Sequence, residues 1–221
     1  MASAALGRLE ELLRGVYDLE LECRVEDFLV TDRRALPEAC RHAPGDEQLF
    51  VAHGDDEIGL TLFLDAALLR RLHRRDPTVA LTQDNAADCW AALEGVSHFL
   101  CVAHHATHDR QVSLLTLELQ AEIDKYVGSF LLLSHGDPQR FPVELHPLLF
   151  QTARIDPGLA GAREPLYRRA SHYAARFCAL LEPGLRRVGA VGGQGWRTQL
   201  RRFYRMSDGA KLRYIERLAP A

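Results

Sequence analysis

Residues 109–133 read DRQVSLLTLELQAEIDKYVGSFLLL and carry apolar side chains at helical spacing over their whole length. These side chains form two adjacent stripes. One stripe holds Val112, Leu115, Leu119, Ile123 and Tyr126, and the other holds Leu114, Leu117, Ala121 and Gly128. A helix with so wide an apolar surface packs against neighbours on more than one side. The pattern therefore predicts a long central helix over about 110–133.

The chain before this helix contains short runs of β-branched and aromatic residues bounded by turn residues, which is typical of strands. The HGDDE segment at 53–57 separates two such runs, and a glycine- and aspartate-rich turn between apolar runs favours a hairpin. The predicted strands cover residues 16–21, 25–30, 48–52, 58–64 and 97–104. Together they predict an antiparallel sheet of four to five strands in the N-terminal half.

Helical spacing also occurs on both sides of these strands. The predicted helices lie at 6–13, at 65–74, from Asp84 or Asn85 to Gly95, at 147–152, at 164–181 and at 196–218 with a break at 207–209. Strands first and helices later favour an α+β fold. We predict an α+β core at 1–135 and a helical, basic C-terminal part at 136–221 that packs on it as one domain.

Composition restricts the class of protein. The five cysteines include no Cys-x-x-Cys pair, which argues against a disulfide framework or a thiolate zinc site. No stretch approaches the roughly 18 apolar residues of a spanning helix, and the start lacks the apolar run of a signal peptide. Two of the 27 basic residues are lysine, a skew typical of a GC-rich genome. We therefore expect a cytoplasmic, bacterial protein without membrane contact.

Charge is divided unevenly along the chain. Residues 1–161 carry 14 basic and 26 acidic side chains, whereas residues 162–221 carry 13 basic and four acidic ones. Opposite net charges can attract each other within one molecule, or the basic end can bind an anionic partner such as an acidic protein. The sequence favours the intramolecular alternative, because that needs no partner outside the chain.

Potential metal ligands are densest between residues 94 and 124, where four of the ten histidines lie within eleven residues. On a strand at 97–104, His98 and His104 share a face. On the following helix, Glu118 and Glu122 are one turn apart. Imidazoles and carboxylates suit a divalent zinc, manganese or iron ion that activates water. The predicted metal ligands are Glu94, His98, His104, Glu118 and Glu122.

A structural role is the alternative for these side chains. Acids on a helix with two apolar stripes need partners when they are buried. Glu118 and Glu122 are placed to pair with Lys125, with Arg110 or with arginines of the basic C-terminal part. The spacing matches no established metal motif, and the structural role is the favoured interpretation.

The second candidate site lies near the C-terminus, where glycines at 189–195 precede a basic helix. Free amides at a helix start and guanidinium groups can together bind a phosphate. The predicted anion-binding residues are Arg197, Arg201, Arg202 and Arg205. At helical spacing, however, the aromatic residues between them also form an ordinary core-facing stripe. Core packing is therefore favoured over an acidic protein partner, and that partner over nucleic acid.

These observations leave three functional hypotheses. The first is a non-enzymatic binding protein that acts as an accessory or regulatory factor. The alternative is a metal-dependent, hydrolase-like enzyme that uses the histidine and glutamate cluster with a divalent metal as cofactor. The third is nucleic-acid binding through the basic C-terminal helices.

Overall fold

The protein is described by a computed structural model that covers residues 4–42, 45–53, 58–134, 142–152, 163–187 and 195–218. Its fold is α+β, with a small mixed sheet among predominantly helical elements. The strands are β1 Leu29–Val30, β2 Glu47–His53 and β3 Ile58–Leu64. The helices are α1 Ala4–Tyr17, α2 Ala66–Arg74, α3 Gln83–Ala106, α4 Leu114–Ser134, α5 Leu145–Pro147, α6 Glu164–Leu185, α7 Gly195–Tyr204 and α8 Asp208–Glu216. A π-helical turn at Leu148–Thr152 continues α5.

The sheet has three strands in the order β1–β3–β2. Strands β2 and β3 pair antiparallel from Glu47 opposite Leu64 to His53 opposite Ile58, as expected for the predicted hairpin. The connection at 54–57 lies outside the described residues. Strand β1 pairs parallel to β3, so the sheet is mixed.

The prediction of four to five antiparallel strands is wrong. Residues 16–21 form no strand, because α1 continues to Tyr17 and Asp18 then takes a positive φ of 58°. Residues 25–30 form a 3₁₀ turn at Val25–Phe28 and only the two-residue β1. Acidic side chains at 20, 22, 26 and 27 are poor strand formers, which favours the turn over a longer ladder.

Residues 97–104 are also not a strand, because they belong to α3. This helix begins after Thr82, whose backbone N–H donates to Asn85 Oδ1 at 2.8 Å. It then continues past Gly95, the predicted end. A Cβ at Gly95 would lie 2.9 Å from Glu47 Cγ and 3.1 Å from a Leu62 methyl, so this glycine allows the helix to approach the sheet closely.

Helix α4 occupies most of the predicted 110–133 segment and is largely buried. It packs against α3 on one side and α6 on another, as two apolar stripes require. The predicted residues 110–113 are not helical. Asp109 has a φ of 50°, and Ser113 N–H donates to Asp208 Oδ2 at 2.8 Å.

One contiguous apolar core joins the first helix to the last. It includes Leu9 of α1, Phe99 of α3, Tyr126 of α4, Phe177 of α6 and Ile215 of α8, all of which are almost fully buried. Among the described helices, none combines the length and apolar character that crossing a bilayer demands.

Candidate metal centre

Four acidic or imidazole side chains meet where β2, α3 and α4 pack together. Glu94 and His98 are one turn apart on α3 and therefore share a face. Gly95 lies between them and lets β2 approach, which brings Glu47 of β2 to the same place. Glu118 approaches from α4. The close approach of one helix to the sheet thus assembles a group of residues that are far apart in sequence.

The His98 ring lies between two carboxylates. His98 Nδ1 is 3.4 Å from Glu47 Oε1, and Nε2 is 3.7 Å from Glu118 Oε2. Potential ligand atoms of Glu47, Glu94 and His98 all lie within 4.8 Å of one another. The His98 side chain is only 9% exposed.

Two atoms of this group lack hydrogen bonds. Among the described residues, neither Glu47 Oε1 nor His98 Nε2 has a hydrogen-bond partner, although both atoms are buried. Leaving a buried polar atom unsatisfied costs about 1–3 kcal/mol. Glu47 Oε1 faces Nδ1 of the imidazole, whereas Nε2 faces Glu118. A cation bound beside either unsatisfied atom would supply the interaction that the atom lacks.

Lys125 organises the neighbouring part of the cluster. Its Nζ lies 2.6 Å from Glu94 Oε2 and 2.8 Å from Glu122 Oε1. Burial lowers the lysine pKa, but the two carboxylates outweigh burial and raise it above its usual range. The ammonium is therefore charged at neutral pH, and Glu122 faces this ammonium.

The electrostatics of the cluster follow from burial and these neighbours. Burial lowers the pKa of His98, but Glu47, Glu118 and Glu94 raise it to about 9. Burial raises the pKa of Glu118 to about 7, although His98 opposes the shift. Burial also raises the pKa of Glu47. Burial acts in the same direction on Glu94, but Lys125 and His98 outweigh it and lower the pKa of that carboxyl group.

The resulting group, which we call the glutamate cluster, consists of Glu47, Glu94, His98, Glu118, Glu122 and Lys125. It has four carboxylates but only two cationic side chains. No family model, curated protein or solved structure matches this chain. The donor atoms of the cluster themselves therefore indicate its chemistry.

Four of the five predicted metal ligands converge in the glutamate cluster, and His104 does not. Six residues on a helix turn the side chain by about 240°, whereas six residues on a strand return it to the same face. The His104 ring instead lies 4.6 Å from that of His108 and 5.3 Å from that of Tyr204. Burial and the neighbouring histidines lower its pKa to about 4.

Glu47 is the cluster residue that the sequence analysis did not identify. It opens β2, far from the dense histidine region, and no local spacing connects it to α3. Tyr167 of α6 also lies near the cluster. Burial and the charge of Glu118 raise the tyrosine pKa, while a hydrogen bond with Arg163 opposes the shift.

Three donors from Glu47, Glu94 and His98 suit a divalent transition metal such as manganese, iron or zinc. Catalytic metal sites commonly use three protein ligands and leave a position for water. Glu118 adjoins His98, so its carboxylate is placed to exchange a proton beside such a metal.

Two of the four predicted anion-binding arginines, Arg201 and Arg205, have intramolecular partners. Arg201 Nε donates to the carbonyl oxygen of Val16 at 3.0 Å and Nη2 donates to that of Gly15 at 3.1 Å. Arg205 donates to the carbonyl oxygen of Asp18 at 3.2 Å. Both arginines thus satisfy acceptors at the C-terminal end of α1, where positive charge is favourable.

The other two predicted arginines differ from this pair. The Arg197 guanidinium lies 5.1 Å from the ring centre of its neighbour Trp196. Arg202 is exposed. The glycines at 189, 192 and 193 lie outside the described residues, and Gly195 begins α7.

Proposed function

We propose that the protein binds a divalent metal ion through Glu47, Glu94 and His98 and that this centre activates water for hydrolysis. One observation carries the proposal. These three side chains bring ligand atoms within 4.8 Å of one another in a largely buried position. Two of the buried atoms, Glu47 Oε1 and His98 Nε2, have no hydrogen bond among the described residues.

The charge balance supports a metal over a purely structural ion-pair network. Besides Lys125 and protonated His98, the described glutamate cluster has no cation to balance its four carboxylates. A buried charge without compensation is costly, and the usual compensation is a partner ion or a metal. A histidine that binds a metal must be a neutral imidazole, so metal binding would displace the proton of His98. A divalent ion at Glu47, Glu94 and His98 would then add one net positive charge to the cluster.

The proposed chemistry follows from the number of ligands. Three protein ligands leave positions for water, and a bound divalent ion lowers the pKa of that water. Glu118 is next to His98, so its carboxylate lies within reach of the proposed centre without being one of the three ligands. We assign Glu118 the role of general base rather than that of a ligand.

The contacts of the basic helices favour the enzyme proposal over nucleic-acid binding. Arg201 and Arg205 use their guanidinium groups on α1 carbonyl oxygens. Their charge therefore has a role inside the molecule. If the protein binds no metal, a non-enzymatic binding function remains the alternative.

Metal analysis of untagged protein tests the proposal. Protein equilibrated with Mn²⁺ and desalted should retain one ion per chain, and Glu47→Gln and His98→Ala should each lose it. His104→Ala is the matched control, because His104 is on the same helix but outside the glutamate cluster. Wild-type protein that retains no Mn²⁺, Zn²⁺ or Fe²⁺, or His98→Ala protein that binds normally, would overturn the metal site.

The catalytic part is tested separately. Metal-loaded protein should hydrolyse members of a panel of model phosphate and carboxylate esters. Glu118→Gln should retain the metal but lose at least about tenfold in rate, since general base catalysis contributes roughly 10²–10⁴-fold. If the metal-loaded protein hydrolyses none of the esters, the proposed enzymatic activity is refuted, whereas the metal site is not.

A further inference from the structure

We infer that Lys125 fills a second cation position in the glutamate cluster and thereby limits the proposed centre to one metal ion. The inference rests on the proposed function, because the first position is the metal site at Glu47, Glu94 and His98. The second position lies between Glu94 and Glu122. The ammonium group of Lys125 occupies this position, where a second metal ion would otherwise bind.

The distances define this second position. Lys125 Nζ lies 2.6 Å from Glu94 Oε2 and 2.8 Å from Glu122 Oε1. The two carboxylates belong to different helices, α3 and α4. The lysine side chain is only 14% exposed. Both carboxylates are thus held towards one enclosed point, and the group at that point carries a positive charge.

Glu94 connects the two positions. Its carboxylate belongs to the group that lies within 4.8 Å of Glu47 and His98, and it also contacts the ammonium of Lys125. In two-metal sites the ions are typically about 3.5–4 Å apart, which allows a shared carboxylate. The arrangement therefore corresponds to a two-cation site in which a lysine replaces one metal.

Replacement of the ammonium by a metal requires only a small movement. Carboxylate oxygens lie about 2.0–2.2 Å from a transition metal, compared with the 2.6–2.8 Å measured to Lys125 Nζ. Glutamate side chains on adjacent helices can close that difference by rotation. The ammonium group of the lysine, rather than the placement of the carboxylates, then excludes a second ion.

A lysine that only neutralises charge makes a different prediction. In that case, removal of Lys125 destabilises the protein equally with and without metal, because the carboxylates gain no new partner. If Lys125 occupies a cation position, its removal creates a site for a second ion. Added metal then compensates for the missing ammonium.

The test compares Mn²⁺ stoichiometry and thermal stability of the full chain. Wild-type protein should hold one ion, Lys125→Met should hold two, and electron paramagnetic resonance should show a coupled Mn–Mn pair. The melting temperature of Lys125→Met should fall in EDTA and recover with Mn²⁺ by more than that of wild type. In the control, Glu122→Gln combined with Lys125→Met should return the stoichiometry to one.

The outcomes separate this inference from the proposed function. One ion in both wild type and Lys125→Met would overturn the role of Lys125 and leave the first metal site intact. No ion in either protein would overturn both. No ion in wild type but one in Lys125→Met would refute the proposed function and support the lysine as a replacement for metal. If Lys125→Met does not fold, Lys125→Gln replaces it in the test, because its amide can still donate to one carboxylate. The same numbers of bound Mn²⁺ ions then distinguish the outcomes.

Discussion

Ser97 and His98 are consecutive in α3, yet their side chains belong to two different polar centres. Ser97 Oγ donates to Asp124 Oδ2 at 2.6 Å, whereas His98 Nδ1 is 3.4 Å from Glu47 Oε1. The next helix repeats the division, because Asp124 faces Ser97 while Lys125 faces Glu94. The α3–α4 pair therefore separates the glutamate cluster from a second polar centre.

The second centre is fully enclosed. Asp124 accepts hydrogen bonds from Tyr17, from Ser97 and from Gln120 Nε2, the last at 3.0 Å. Lys211 Nζ of α8 lies 3.5 Å from Gln120 Oε1. These side chains tie α1, α3, α4 and α8 together around a buried carboxyl group.

The pKa of Asp124 predicts a pH-dependent stability. Burial raises it to about 6, although the hydrogen bonds from Ser97, Tyr17 and Gln120 oppose the shift. Because the folded state holds this proton more tightly than the unfolded state, the contribution is complete below about pH 4 and is lost as pH rises through 6. The difference between the pKa of Asp124 in the folded state and that of an ordinary aspartate corresponds to about 3 kcal/mol of unfolding free energy.

Urea unfolding of wild type and Asp124→Asn between pH 4 and 7.5 measures this contribution. The difference in unfolding free energy between the two proteins should change by about 3 kcal/mol over that range, in favour of wild type at low pH. The comparison cancels groups that titrate in both proteins. Parallel curves would contradict the assignment of a raised pKa to Asp124.

Gly95→Ala should damage the fold and the proposed metal site together. The added Cβ would meet Glu47 Cγ at 2.9 Å and leucine methyl groups of β3 at 3.1 and 3.2 Å. Overpacking of this kind costs about 1–3 kcal/mol. Since Glu47 must move, Mn²⁺ affinity should also fall, which isothermal titration calorimetry would measure.

Gly7→Ala is the matched control for this change. Gly7 is also helical, but nothing lies within 4 Å of a Cβ at that position. Alanine there should raise stability by about 0.5–1 kcal/mol and leave Mn²⁺ binding unchanged. Equal stability effects at positions 7 and 95 would show that α3 does not approach β2 as closely as described.

Arg201→Ala should lower the unfolding free energy by about 1–2 kcal/mol, because two contacts with α1 and one with the residue that follows it would be lost. Its guanidinium serves the carbonyl oxygens of Gly15 and Val16 and lies 3.5 Å from Asp18 Oδ2. The exposed neighbour Arg202 provides the control, and Arg202→Ala should change stability by less than about 0.5 kcal/mol. Guanidinium chloride unfolding compares the two variants, and equal effects would disprove the structural role of Arg201.

Some of this arrangement was predictable from periodicity. Two apolar stripes predicted a helix over about 110–133, and α4 occupies Leu114–Ser134. The spacings of Glu94 with His98 and of Glu118 with Glu122 are one helical turn, so each pair shares a face. The sequence analysis also expected these residues to converge, but it placed His98 on a strand at 97–104 rather than on α3.

The errors have a physical cause. Residues 96–103 are buried on all sides, so apolar side chains give no period that distinguishes a helix from a strand. That error placed His104 with His98. Glu47 could not be found locally, since its position depends on the long-range contact of β2 with Gly95.

The two lysines of the chain should respond oppositely to replacement by methionine. Lys125 contacts two carboxylates, whereas among the described residues Lys211 Nζ has no carboxylate oxygen within 4.0 Å. It instead lies 5.5 and 5.4 Å from the ring centres of Phe203 and Tyr204, and burial lowers its pKa. Removing one partner of a buried ion pair costs about 3–5 kcal/mol. A buried charge without a carboxylate partner is itself costly, so an apolar side chain of similar volume removes that cost.

Urea unfolding in EDTA at pH 7 would compare the two variants. Lys125→Met should lose about 3–5 kcal/mol, while Lys211→Met should stay within about 1 kcal/mol of wild type or exceed it. A loss of more than about 2 kcal/mol in Lys211→Met would mean that the ammonium and Gln120 form an interaction as strong as an ion pair. The enclosed centre around Asp124 would then depend on charge pairing, as the glutamate cluster does.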